Sequence, residues 1–144
     1  MTSENHPSIS ETRVRVRYAE TDQMGVVYYA NYFIWFELGR VELLRQLGFD
    51  YKHMEIEDDC WIPVVEANCR YKAPARYDDV LLIQTEVAAM RISVLKFRYR
   101  ILRDADNQLL AEGDTTHVIT DGKMQKRPLP KKYVEGLNRL RTGV

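Results

Sequence analysis

Residues 13–18, RVRVRY, alternate strictly between charged and apolar side chains. Val14 and Val16 face one way and Arg13, Arg15 and Arg17 the other, the pattern of a strand with one buried side. The arginines read as its solvated face. After a polar loop the period changes. Phe33, Ile34, Phe36, Leu38, Val41, Leu44 and Leu47 recur at helical spacing, with Tyr32, Trp35 and Leu43 beside them. The spacing predicts a helix over 31–47. Its apolar cover is wider than one stripe, so the helix should be surrounded by other elements. Gly39 inside it costs about 1 kcal/mol of helix propensity, a cost that close approach of a strand would offset. Gly48 followed by Phe49 predicts the C-terminal stop.

Residues 50–60 are acidic and irregular and read as a connector with a short helical turn, long enough to be a flap. Period-two alternation then returns. It predicts strands over 62–73, 80–89, 93–102 and 109–120, with Val65, Ala67, Cys69 and Tyr71 on one face of the first and Leu81, Ile83, Thr85 and Val87 on the inner face of the second. Asp121-Gly122 suggests a tight turn into a further short strand at 123–127. Pro128 and Pro130 end the sheet, and 131–140 reads as an amphipathic helix. A helix of about 17 residues is about 26 Å long, and a ten-residue strand reaches about 33 Å. The strands can therefore wrap the whole helix. The expected fold is α+β, a long central helix wrapped by an antiparallel sheet of five to six strands. Residues 13–144 form its single domain, and the polar residues 1–12 are expected to be a flexible tail.

Composition narrows the function without naming it. The chain has 144 residues, 45% of them hydrophobic, enough for one folded core. Lys plus Arg and Asp plus Glu both number 21, so no charge excess points to nucleic acid. Cys60 and Cys69 are too few for a disulfide framework, and neither they nor three scattered histidines give a metal spacing. No apolar run is long enough for membrane insertion. A cytoplasmic enzyme or binding protein is expected.

Asp22 is the first chemical candidate. It lies between a strand and a buried helix, where a helix start offers unpaired N–H groups and partial positive charge. Such groups can hold a developing oxyanion, and a carboxylate facing them can attack a carbonyl or activate water. Capping the helix or closing the turn explains the same aspartate equally well. Glu37 is the second carboxylate, and an intrahelical pair with Arg40 is its preferred reading. His117 alternates with Thr115 and Ile119 and reads as a hydrogen-bonded core histidine. His6 and His53 have no visible partners.

The segment YAETDQMGVVYYANYFIWFELGRVELLR closely resembles the signature of the 4-hydroxybenzoyl-CoA thioesterase-like branch of the hotdog superfamily. It is most similar to the bacterial acyl-CoA thioesterases encoded beside Tol-Pal genes. YKAPARYDDVLLIQTEV, AAMR, AEGDTTHVITD and RPLP continue the likeness, which spans about residues 13–130. The resemblance implies hydrolysis of an acyl-CoA without metal or cofactor. Asp22 would be its catalytic carboxylate, and the backbone N–H of Tyr29 would polarise the thioester carbonyl. Gly25 matches the loop glycine, and Tyr28 and Asn31 fall beside it at the substrate. Arg91 matches a position that contacts CoA phosphates, although Ile92 and Ser93 replace more basic neighbours. A solvated hairpin arginine explains Arg91 nearly as well. Where this chain has Tyr29 the Tol-Pal-associated enzymes carry histidine, which a backbone role tolerates. The resemblance also implies homodimers joined edge to edge with the site at their interface, and commonly homotetramers. A hotdog hydratase fits less well, because the strand-to-helix loop holds no histidine. A non-catalytic binder of acyl-CoA or acyl carrier protein is the rival from another class.

Overall fold

The computed structural model describes residues 9–142. Strand β1 (Ile9–Arg15) is followed by a 3-10 turn (Tyr18–Glu20) and helix α1 (Asn31–Gln46). A short helix α2 (Tyr51–Glu57) leads to β2 (Val64–Tyr71), β3 (Val80–Met90), β4 (Val94–Arg103) and β5 (Leu109–Val118). Helix α3 (Lys131–Thr142) closes the chain. The strands form one antiparallel sheet in the order β1-β3-β4-β5-β2. The α+β architecture is the expected one, with five strands among the described residues. At 123–127 there is only an isolated bridge between Thr120 and Lys126.

Helix α1 lies across the sheet and packs chiefly on β1, β3 and β4. Trp35, Phe36, Leu43 and Leu44 are buried against Leu81, Ile83, Phe97, Tyr99 and Ile101. Each such side chain stabilises the fold by about 1.5–3 kcal/mol. Phe36 stacks on Tyr99 at 4.3 Å between ring centroids. Gly39 is where helix and sheet come closest, since a Cβ there would collide with Thr85 Oγ1 and stand 2.9 Å from Ile83 Cγ2. The helix ends as expected. Gly48 takes φ +85°, its N–H donates to the Arg45 carbonyl, and Phe49 N–H donates to the Leu44 carbonyl. Together these bonds satisfy the last carbonyls of the helix. The connector after it holds α2, started by Asp50, whose Oδ1 accepts from His53 N–H at 2.8 Å.

Two further sequence expectations need correction. The strand begins at Ile9, inside the residues assigned to a tail; the remainder of that tail, residues 1–8, lies outside the described residues. Ile9 to Thr12 pair with Glu86 to Ile83 of β3. Backbone bonds hold this stretch, so its polar sequence gave little sign of it. Strand β2 was expected to bury one face, yet Val65 is 58% and Tyr71 45% exposed. β2 is an edge strand outside the main footprint of α1. The sheet therefore covers the helix on one side only, and Ile34 and Glu37 remain exposed.

Candidate active site

The loop between β1 and α1 is built on backbone bonds. Asp22 N–H donates to the Val26 carbonyl at 2.9 Å and Gly25 N–H to the Asp22 carbonyl at 3.0 Å. Gly25 has φ +81°, a conformation other residues rarely adopt. The Asp22 side chain completes the turn, with Oδ1 accepting from Met24 N–H at 2.9 Å. Its Oδ2 has no donor among the described residues. Asp22 is half-buried and lines an open hollow of about 390 Å³ with Tyr18, Ala19, Thr21 and Gln23. It does not cap α1, whose N-cap is Ala30 and receives no side-chain bond.

The helix start is anchored through a different atom, the carbonyl oxygen of Glu20. Tyr28 N–H and the Asn31 side-chain amide both donate to it at 2.9 Å. Glu20 itself is buried and accepts from Arg17 N–H at 2.7 Å. Val27 N–H donates to the Ala75 carbonyl, and Ala75 N–H to the Tyr32 hydroxyl. The chain is thus fixed on both sides of Tyr29. Inside that frame, the N–H groups of Tyr29 and Ala30 have no acceptor among the described residues. The Tyr29 ring is 60% exposed and lies 4.8 Å from that of Tyr28. Beside them is a hollow of about 310 Å³ lined by residues that include Val26, Tyr29, Tyr32, Tyr71 and Pro74. Unpaired backbone N–H groups at a helix N-terminus carry partial positive charge and can hold a developing oxyanion.

A helix laid on an antiparallel sheet in this way is shared with known structures. The model of the thioesterase-like superfamily matches residues 16–137. This chain belongs to that superfamily. The acyl-CoA thioester hydrolase YbgC of Escherichia coli O6:H1 is 43% identical over 122 residues, 84% of this chain and 90% of that protein. The hypothetical protein TT1821 from Thermus thermophilus superposes with a TM-score of 0.85 at 39% identity, over 91% of this chain and 98% of its own. A DHNA-CoA thioesterase from Staphylococcus aureus gives 0.86 at 28% identity, over 93% and 91%.

The other residues singled out in this thioesterase-like chain are dispersed. Asp22 and Tyr29 line separate hollows. Arg91 sits exposed at the end of β3, its N–H bonded to the Val94 carbonyl, and lines neither. Glu37 does not pair with Arg40. Arg40 is only 9% exposed and turns inward, where its Nε and Nη1 donate to the hydroxyls of Tyr51 and Tyr99. Glu37 stays at the rim of a third hollow shared with Phe33, Ile34, Val64 and Thr115. Among the described residues no cluster of three His, Cys, Asp or Glu could hold a metal ion. No described helix is long and apolar enough to cross a membrane.

The expectation for His117 holds. It is fully buried, with Nδ1 2.9 Å from the Ile62 carbonyl and Nε2 2.9 Å from Thr115 Oγ1. The carbonyl can only accept, so Nδ1 carries the proton and Nε2 accepts from Thr115. Thr115 in turn accepts from the Tyr99 hydroxyl at 2.6 Å. Burial pushes the His117 pKa down to about 4. An unfolded histidine titrates near 6.5, so between these values the unfolded chain binds a proton that the folded chain refuses. Stability therefore falls as pH drops from about 6.5 to 4, by at most about 3 kcal/mol from this residue. Denaturant melts across that window should show the loss, and His117→Gln, if folded, should flatten it. An unchanged pH slope in a folded His117→Gln variant would rule His117 out as its source.

Proposed function

We propose that this protein hydrolyses acyl-CoA thioesters to the free acid and CoA. The observation that carries the reading is the pair of unpaired amides at the start of α1, together with a loop carboxylate that has one oxygen free. The named activities of the relatives support it. The thioester oxygen would accept from Tyr29 N–H, which draws electron density from the carbonyl carbon. Asp22 would then take a proton from water as that water attacks, or attack the carbon itself. Collapse of the tetrahedral adduct breaks the C–S bond, and the CoA thiolate leaves and is protonated; where Asp22 is the nucleophile, the mixed anhydride left on it is then hydrolysed by water, which releases the acid and restores the carboxylate. No cofactor enters this sequence.

Gly25 would let substrate approach the loop backbone closely, and the exposed Tyr28 ring would flank the acyl group. Asn31 would act through the Glu20 carbonyl it already holds. Arg91 would meet the nucleotide end of CoA as an exposed cation. Because Asp22 and Tyr29 line separate hollows within one chain, we assign them to opposite halves of a composite site in a homodimer. The uncovered edge strand β2 supports that pairing, since open edges favour strand addition, and two such dimers could form a homotetramer. An acyl carrier protein presents the same pantetheine arm and is an alternative donor. Asp22 also closes its own turn, which is all that a non-catalytic acyl-CoA binder would need from it.

Asp22→Asn separates these readings, because asparagine keeps the turn and removes the charge. We expect kcat on benzoyl-CoA or hexanoyl-CoA, whichever is turned over faster, to fall by about 100- to 10,000-fold with the melting temperature held or raised. A folded variant at the parental rate would remove Asp22 from the chemistry. Arg91→Ala should raise KM for acyl-CoA, steepen with lower salt, and leave acyl-pantetheine unaffected. Equal effects on both substrates would take Arg91 out of the nucleotide site. Light scattering of the active enzyme should give at least twice the chain mass, and a fully active monomer would refute the composite site.

A further inference from the structure

Among the side chains lining the hollow beside Tyr29 that the proposed chemistry has not used, one reaches the backbone of Tyr29 itself. Tyr71, at the end of β2, donates its hydroxyl to the Tyr29 carbonyl at 3.0 Å, across 42 residues of chain. The same oxygen accepts from Tyr32 N–H at 3.3 Å, the longer of the two bonds. Tyr71 also sets its ring edge-on to Tyr32 at 5.1 Å and to Tyr29 at 6.3 Å between centroids. The residue is half-exposed, while its hydroxyl is turned onto the Tyr29 backbone.

The bonded oxygen matters because of the peptide it belongs to. The Tyr29 carbonyl and the Ala30 N–H are the two ends of one rigid amide plane. Fixing the oxygen fixes the direction of the N–H, and donating to the oxygen makes that N–H a stronger donor. The preceding plane is treated likewise, for the Tyr28 carbonyl accepts from Asn31 N–H at 3.0 Å while its other end is the Tyr29 N–H. Two consecutive amide planes are thus each held by their oxygen, and each leaves its N–H unpaired. The hydroxyl keeps its proton, since desolvation raises the Tyr71 pKa above that of a free phenol.

We infer that Tyr71 is a positioning residue for thioester hydrolysis: it locks the Tyr29–Ala30 peptide so that Ala30 N–H joins Tyr29 N–H in receiving the substrate carbonyl oxygen. This rests on the reading that the α1 start is the carbonyl site, and it adds a second donor to that reading. Two donors holding one oxygen would fix its direction as well as its charge, which matters most in the tetrahedral adduct.

Tyr71→Phe keeps the ring contacts and removes only the hydroxyl. In the otherwise unchanged enzyme, with the faster of benzoyl-CoA and hexanoyl-CoA, kcat should fall by about five- to twentyfold while KM stays within twofold. The melting temperature should be unchanged. The spectroscopic arm uses that acyl-CoA labelled with ¹³C at the thioester carbonyl, bound to the slow Asp22→Asn enzyme. Its infrared carbonyl band should lie below that of free acyl-CoA. Adding Tyr71→Phe should return the band at least partway. A displaced band that ignores Tyr71→Phe, with kcat unchanged, overturns the assignment and leaves the carbonyl site standing. A band that never moves when Asp22→Asn is saturated overturns the carbonyl site and the role of Tyr71 with it.

Discussion

The contact between α1 and β3 at Gly39 sets everything else in this molecule. A helix with a side chain at that position could not lie so close to Thr85 and Ile83. With glycine there, Trp35, Phe36, Leu43 and Leu44 reach the sheet together and leave it no room to slide. Fixing the helix axis also fixes the level of its first turn. That turn carries the unpaired amides, so the accuracy of the candidate site comes from core packing half a helix away. The Glu20 carbonyl, held by Tyr28 N–H and the Asn31 amide, converts this accuracy into the path of the loop.

Residues whose conformation is set locally were legible in the sequence. Gly48 and Phe49 ended the helix where a glycine followed by an apolar residue should. The D-x-x-G spacing of Asp22 and Gly25 marked a real turn, and His117 was rightly placed in the core. What failed depended on partners remote in sequence. Ile9 to Thr12 form a strand because β3 offers them an edge. β2 alternates like a half-buried strand, but burial requires the helix to reach it, and α1 packs elsewhere. Arg40 lies three residues beyond Glu37, a helical salt-bridge spacing, and yet turns to Tyr51 and Tyr99. Tyr71 carried no signal of its own, since a strand tyrosine is ordinary and its bond to Tyr29 exists only in the folded chain.

The Arg40 arrangement shows how a buried cation is kept without a carboxylate. Leaving such a charge unbonded would cost several kcal/mol. Here the guanidinium donates to two neutral hydroxyls, and one of them starts a one-way chain. Tyr99 donates to Thr115, Thr115 to His117, and His117 to the Ile62 carbonyl. Every donor has an acceptor only while His117 is neutral, because a second ring proton would face the Thr115 hydroxyl and reverse its direction. The low His117 pKa and the positive charge of Arg40 thus favour one another's state. The chain also ties the middle of α1 to β4, β5 and the segment before β2, which steadies the strand that carries Tyr71.

The separation of Asp22 from Tyr29 then acquires a physical meaning. A carboxylate in van der Waals reach of unpaired helix N–H groups in its own chain would be drawn onto them and would cap the helix. Both partners would be satisfied, and neither would have capacity left for a substrate. Here Oδ1 of Asp22 is committed to Met24 N–H instead, and the first amides of α1 are held open by bonds to their carbonyl oxygens. Acid and donors are kept from neutralising each other by the same backbone bonds that build the loop. In a composite site, a substrate carbonyl would enter between them as the group that each half lacks. The uncovered β2 edge and the exposed flank of α1 are where a second chain would have to stand for that meeting to occur.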